Sequence, residues 1–178
     1  MSASNQHISM KVSSDTCSFF FSFVYSKCDA WERESLWHDL SFNLGDEPWI
    51  VGGNFNCILD SFEKKGGGLY SIKDRYVFAE FVSHNGPLDL GFSRDKYTWY
   101  NNQKENRHMW CMLDCCFDNL QAISSYPNSR VEHLVRAISN HSPLLIHLSG
   151  SGASTERFFY SRRWEADPSF QCVVYASW

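Results

Sequence analysis

The sequence predicts a layered α/β (α+β) domain, and three observations carry that prediction. Apolar runs with strand character open the chain: Ile8, Met10 and Val12 alternate with polar Ser9 and Lys11, and a ring-rich run, Cys17–Ser26, follows. Two longer segments place apolar residues at helical spacing, Leu36, Trp37 and Leu40 in one and Val77, Phe78, Phe81 and Val82 in the other. The second half then reads as short strands. Strand, helix, strand, helix and several further strands is the order of a layered domain. With 178 residues, 43% hydrophobic and 20% charged, the chain is long and apolar enough for one sizeable core.

Each element has its own signal. Ser13–Thr16 supplies turn residues between the first two strands, so they are expected to form a hairpin. Asp29 with Glu32 three residues later is a capping-box pattern, which starts a helix from about Ala30 to Phe42. Gly45–Pro48 breaks the chain, and Trp49-Ile50-Val51 begins a fully apolar strand that runs into Gly52-Gly53-Asn54-Phe55-Asn56. Lys64–Gly68 reads as a flexible loop, and a second helix is expected from about Lys73 to His84, stopped by Asn85-Gly86-Pro87. Strands are expected at Tyr97–Tyr100, His108–Asp114, Arg130–Val135 and Leu144–Leu148, with a short helix near Leu120–Ser124. Residues 1–150 read as the domain. Residues 151–178 read as a linker and a C-terminal helix, since Ser149-Gly150-Ser151-Gly152 punctuates the chain and Asp167-Pro168 is an N-cap followed by proline.

Composition narrows the function classes. Sixteen Lys plus Arg against 20 Asp plus Glu give a net charge of −4, which excludes gripping nucleic acid by bulk positive charge but not by a local patch or bridging cation. Seven cysteines, an odd and modest number, suit a reducing compartment better than a disulfide framework. Cys17–Tyr25 is far too short to span a bilayer and has the wrong flanks for a signal peptide. An intracellular protein without a membrane span or targeting signal is expected, with the nucleus as one location.

Three constellations could carry chemistry. At the strand end, Gly52-Gly53 lets the backbone approach a ligand and Asn54 and Asn56 supply carboxamides, although a tight Gly-Gly turn satisfied by its own asparagines would use the same residues. His141, among Ser139, Asn140 and Ser142 at a strand entrance, could be a general acid/base or hold a phosphate oxygen. Asp114, the charge within the apolar run Trp110–Phe117, needs a partner if buried, and histidine is a usual one. Spacing alone does not say that Asp114 meets His141.

Taken in order, Phe23-Val24-Tyr25, GGNFN at 52–56 with CILD after it, YTW at 97–99, LD at 113–114 and SNHSPLLI at 139–146 resemble the endonuclease/exonuclease/phosphatase superfamily. This is the fold of DNase I and the apurinic endonucleases. The chain most resembles the endonuclease domain of plant LINE-type (non-LTR) retrotransposon polyproteins, in which the pattern is usually GGDFN, LDR and SDHSPLLI. LDLGFSRDKYTWYNN and RVEHLVRAISNHSPLLI add to the likeness, and Arg157–Trp178 resembles the lead-in to the reverse transcriptase of those polyproteins. The resemblance implies a DNase I-like sandwich, DNA as partner and Mg²⁺ at the scissile phosphate. Carried over by motif, Tyr25 touches the phosphate, Asn56 orients the nucleophile, Asp114 holds His141, and His141 donates to a non-bridging oxygen.

The chain departs from that pattern where charge matters most. Asn54 stands in place of the activating aspartate, and Asn140 replaces the aspartate of Ser-Asp-His, leaving a weak, degenerate metal ligand. Cys115 replaces the arginine that usually follows Asp114. The family's N-terminal strands, with an early asparagine and a metal-binding glutamate, have no counterpart. One sheet is therefore expected to be incomplete, leaving Cys17–Tyr25 an uncovered edge that a missing segment or another chain would complete. A carboxamide accepts no proton near neutral pH and binds cations poorly, so a degenerate, non-hydrolysing domain is the expectation.

Two rival readings remain open. His108, Cys111, Cys115 and Cys116 are a zinc-type donor set, though without Cys-x-x-Cys spacing. Arg157, Arg162 and Arg163 with Phe158, Phe159 and Tyr160 could serve a non-catalytic nucleic-acid or protein-binding module.

Overall fold

A computed structural model describes residues 1–41, 46–68, 72–85, 88–104 and 107–149. The predicted C-terminal helix, the linker and the Arg157–Arg163 segment lie outside the described residues, as do Gly45, Gly86 and Pro87.

The N-terminal alternation forms a hairpin, β2 (His7–Ser13) and β3 (Ser18–Tyr25), with β1 (Ser2–Ala3) paired to its outer strand. The chain then makes α1 (Ala30–Ser41) and returns as β4 (Trp49–Asn54), parallel to β3. After a short 3₁₀ turn (Ser61–Glu63) come β5 (Lys64–Lys65), α2 (Ile72–Asn85) and β6 (Leu88–Asp89). The second half contains β7 (Trp99–Tyr100), β8 (Trp110–Cys111), β9 (Asp114–Asp118), α3 (Leu120–Ser125), β10 (Arg130–His133) and β11 (Leu144–His147). Among the described residues these strands form a six-stranded sheet in the order β1-β2-β3-β4-β9-β6, a β10-β11 pair and a three-stranded β5-β8-β7 sheet. No described helix is long and apolar enough to cross a membrane.

Alternation along the central strands sorts side chains onto two faces. One face carries Val24, Val51 and Phe117, and the stripes of α1 (Leu36, Trp37, Leu40) and α2 (Phe78, Phe81, Val82) close over it with Phe55. The ring of Phe55 lies 5.3 Å from that of Phe78 and 5.4 Å from that of Phe117. The other face carries Phe19, Phe21, Ile50 and Cys116 and packs against Val131 of β10 and Leu144 and Ile146 of β11. This is the layered arrangement expected from the sequence.

Several expectations are corrected. The capping box forms at Asp60 and Glu63, whereas at α1 the Glu32 amide donates to the backbone carbonyl of Asp29. Gly52 and Gly53 continue β4 rather than making a turn, because β3 runs so close that a Cβ on Gly53 would lie 2.1 Å from the Val24 carbonyl oxygen. Lys64 and Lys65 form a strand with Cys111 and Trp110 as partners instead of a loop. The apolar run Trp110–Phe117 is not one strand: it changes sheets at Met112-Leu113, where the Met112 amide donates to the Glu63 carbonyl and the Leu113 amide to Thr98 Oγ1. Cys17–Tyr25 is not an uncovered edge either, since β3 is paired with β2 on one side and β4 on the other.

Candidate functional site

Strand register sets up the site. Tyr25 is opposite Asn54 across the β3–β4 pair, and Asn54 is opposite Asp114 across the β4–β9 pair. These residues therefore stand abreast at one end of three neighbouring strands, and all of them line the cleft between the large sheet and the second layer. Tyr25, the last residue of β3, is 72% exposed, while Asn54 and Asp114 are buried.

Asn56 is held by a local device. Phe55 is anchored in the helix-side core, and its amide donates to the Leu113 carbonyl, which ends the strand. Asn56 then adopts φ 47°, a left-handed conformation that asparagine tolerates better than most residues. Its amide donates to Asn54 Oδ1 (2.8 Å), and its own Nδ2 donates to the Ser26 carbonyl (2.6 Å). The Ser26 amide in turn donates to the Asn54 carbonyl (2.8 Å). The asparagines thus satisfy backbone groups and line the cleft at the same time.

His141 arrives from the second layer. Its backbone bridges to Trp99, and its Nδ1 lies 2.9 Å from Asp114 Oδ2. An ionised carboxylate only accepts, so the proton of this bond sits on Nδ1 and the Nε2 edge is left for the cleft. A histidine so oriented can take a proton or, when protonated, donate to an anionic oxygen. Asn140 lines the same cleft, with its carbonyl accepting from the Tyr100 amide (3.1 Å). All six residues singled out from the sequence, Tyr25, Asn54, Asn56, Asp114, Asn140 and His141, line one cleft of about 940 Å³.

Sequence reasoning missed the residues that tie these groups together. Thr98 is 0% exposed; its Oγ1 accepts from the amides of Leu113 and Asp114 (3.0 Å each), and its carbonyl accepts from the Ser142 amide (2.7 Å). It links the strand that carries Asp114 to the segment that carries His141. Its signal was its place in the YTW motif at 97–99, which did not show what the hydroxyl holds. Arg33, buried on α1, donates from Nη1 to the carbonyls of Lys27 and Cys28 and holds the turn that follows Tyr25 and Ser26. Lys64 also lines the cleft.

The donor set does not fit Mg²⁺, which takes carboxylate oxygens in a near-octahedral shell. Asp114 is the one acidic side chain among the described lining residues, and His141 engages it. Asn54 Oδ1 already accepts the Asn56 amide, and a neutral carboxamide is a weaker cation ligand than a carboxylate. The zinc set is also dispersed. Cys115, Cys116 and Cys111 enter three separate core clusters and His108 is exposed. Burial pushes the Cys115 and Cys116 thiols well up, against the thiolate that zinc requires. Among the described residues no group of three or more His, Cys, Asp or Glu could hold a metal ion.

No family model matches the chain, and no curated protein matches it. Solved structures do. The chain is similar to the endonuclease domain of TRAS1, a telomere-specific non-LTR retrotransposon, with a TM-score of 0.61 at 12% identity over 83% of this chain. It is similar to the 3′ phosphatase NExo from Neisseria, bound to product DNA hairpin, with a TM-score of 0.60 at 14% identity over 81%. An endonuclease/exonuclease/phosphatase family protein from Leptotrichia buccalis C-1013-b matches with a TM-score of 0.50 at 14% identity over 80%. The fold is DNase I-like. The chain spans 64% of the TRAS1 domain and 65% of NExo. At such identities the DNase I-like neighbours establish the architecture, and the chemistry has to be argued from the cleft.

Proposed function

We propose that this chain is an endonuclease-like domain descended from a plant LINE-type retroelement, with a cleft that accepts a DNA phosphodiester and with impaired hydrolysis. The observation that carries this reading is the Asp114–His141 pair, 2.9 Å apart, in the same cleft as Tyr25 and Asn56. In this reading Tyr25 contacts the phosphate, Asn56 orients the attacking water, and His141, held by Asp114, faces a non-bridging oxygen. The nuclease and phosphatase neighbours support the ancestry. The TRAS1 domain supports the retroelement assignment, and the sequence motifs support its plant LINE branch.

Impairment follows from Asn54 and Asn140. Losing a general base typically costs about 10²–10⁴ in rate, and a cleft that does not fit the cation also forgoes its electrostatic stabilisation. A non-catalytic DNA-binding remnant is the second reading, favoured by the use of Asn54 Oδ1 within its own turn. The test is Mg²⁺-dependent nicking of supercoiled plasmid by the purified chain, by His141→Ala and by the double variant Asn54→Asp with Asn140→Asp. The expected result is no nicking by the original chain and recovered nicking in the double variant. Nicking by the original chain that His141→Ala abolishes would overturn the impairment. Silence of both proteins would remove the two carboxamides as the cause.

A further inference from the structure

The second layer covers only part of the main sheet. β11 lies over β4, where a Cβ placed on Gly52 would sit 3.5 Å from Ile146 Cδ1. β10 lies beside it, with Val131 in the same apolar cluster as Cys116 of β9. Among the described residues no strand flanks β11 on its other side. β3 and β2, the next strands of the main sheet, therefore extend past the edge of this layer.

The face they present there is apolar. Antiparallel register sets Ile8 opposite Phe23, Met10 opposite Phe21 and Val12 opposite Phe19, so these side chains share the face that β10 and β11 cover elsewhere. Phe19 and Phe21 are buried and Met10 and Val12 half-buried, but Ile8 is 45% exposed and Phe23 53%. The Phe23 ring, 4.3 Å from that of Phe21, continues the core cluster out into solvent. An exposed apolar patch that runs on from a core marks an interaction surface.

The same chain carries an apolar stripe of matching size. Phe170, Val173, Val174 and Trp178 recur at helical spacing in the C-terminal segment for which the sequence predicts a helix, opened by Asp167-Pro168. A helix over 168–178 is about 16 Å long, and the strand from Ile8 to Val12 runs about 13 Å. The chain leaves β11 at the edge of the open face. From there residues 149–167 can span up to about 60 Å, against about 10 Å for two strand spacings. On such a tether the segment acts at an effective concentration of about a millimolar, which favours it over a second copy of the chain.

We propose that residues 168–178 dock as a helix on the β2–β3 face, laying Phe170, Val173, Val174 and Trp178 against Ile8, Met10 and Phe23. The helix continues the second layer past β11 and covers the part of the sheet that β10 and β11 leave open. Phe21 and Phe23 also line the cleft, so the docked helix borders its apolar end. This contact does not depend on the cleft taking DNA.

The experiment is hydrogen-exchange mass spectrometry of the full chain, for the original protein, Ile8→Asp and the double variant Val173→Asp with Val174→Asp, with sedimentation to give the mass of each. Amides of 170–178 should exchange at least about tenfold faster in Ile8→Asp than in the original protein, while those of β3 and β4 stay equally protected in both. The double variant leaves residues 1–149 untouched, and so tests the face even if Ile8→Asp unfolds. It should bind more of the dye ANS than the original protein, because the sheet face is bare. Fast exchange of 170–178 in the original chain overturns the docking. Protection there that Ile8→Asp leaves unchanged overturns the assigned face. Protection that disappears on dilution together with a dimer overturns the intrachain contact in favour of a second copy. Unchanged ANS binding in the double variant overturns the covering of the sheet.

Discussion

Thr98→Val removes one oxygen and nearly nothing else from the place where the two halves of the site meet. The hydroxyl accepts from the amides of Leu113 and Asp114, at 3.0 Å each, in a residue with no exposure to water. Valine fills the volume but leaves both amides without their acceptor, which is why this exchange is not conservative in a core. An orphaned buried N–H costs about 1–3 kcal/mol, so the loss should be roughly 2–4 kcal/mol once some relaxation is allowed. That is a large part of a typical stability of about 5–15 kcal/mol. Urea unfolding should show a lower midpoint at unchanged slope. The imidazole NMR signals of His141 should move as well, because the strand that presents Asp114 loses its anchor. A loss below about 1 kcal/mol with unmoved His141 signals would refute the claim that Thr98 ties Asp114 to the site.

Burial raises the Asp118 carboxyl to about 7, far above the usual carboxylate range, with the nearby Asp89 charge adding to the effect. The folded state therefore holds this proton more tightly than the unfolded chain, so stability is full below about pH 4 and is lost as pH rises toward about 7. Between about pH 5 and about pH 8 the original chain should lose roughly 2–3 kcal/mol relative to Asp118→Asn, and parallel urea stabilities would count against a buried, protonated Asp118. Gly53→Ala would drive a Cβ to 2.1 Å from the Val24 carbonyl oxygen at φ +136°, and should lower the thermal midpoint sharply. Gly68→Ala has nothing within 4 Å of the added atom and should be nearly silent. Alkylation of the native protein followed by mass spectrometry should label exposed Cys28 and spare Cys57, Cys115 and Cys116 until unfolding; native labelling of Cys115 would contradict its place in the core.

Local periodicity made much of the fold legible. The alternation of Ile8, Met10 and Val12 and the stripes of α1 and α2 were readable because each element buries a face whose period is set by its own backbone. Motif reading singled out six residues, and the structure places all six along one cleft. Other features were illegible for a common reason. Whether Gly52-Gly53 turns or continues depends on how closely β3 approaches, and whether Trp110–Phe117 is one strand depends on Glu63 and Thr98 as distant partners. Neither partner can be read from the run itself.

By itself the sequence determined the opening hairpin and the two main helices, that the balance of charge is acidic, and that carboxamides stand at Asn54 and Asn140. These are properties of composition and short-range spacing. Only the tertiary structure decided that Asp114 meets His141 across 27 residues, that Thr98 joins the strand carrying Asp114 to the segment carrying His141, and that Asn54 Oδ1 accepts the Asn56 amide. Those facts depend on which backbone amide claims which acceptor. Strand register and sheet packing settle that competition, and neither is encoded in any one stretch of chain.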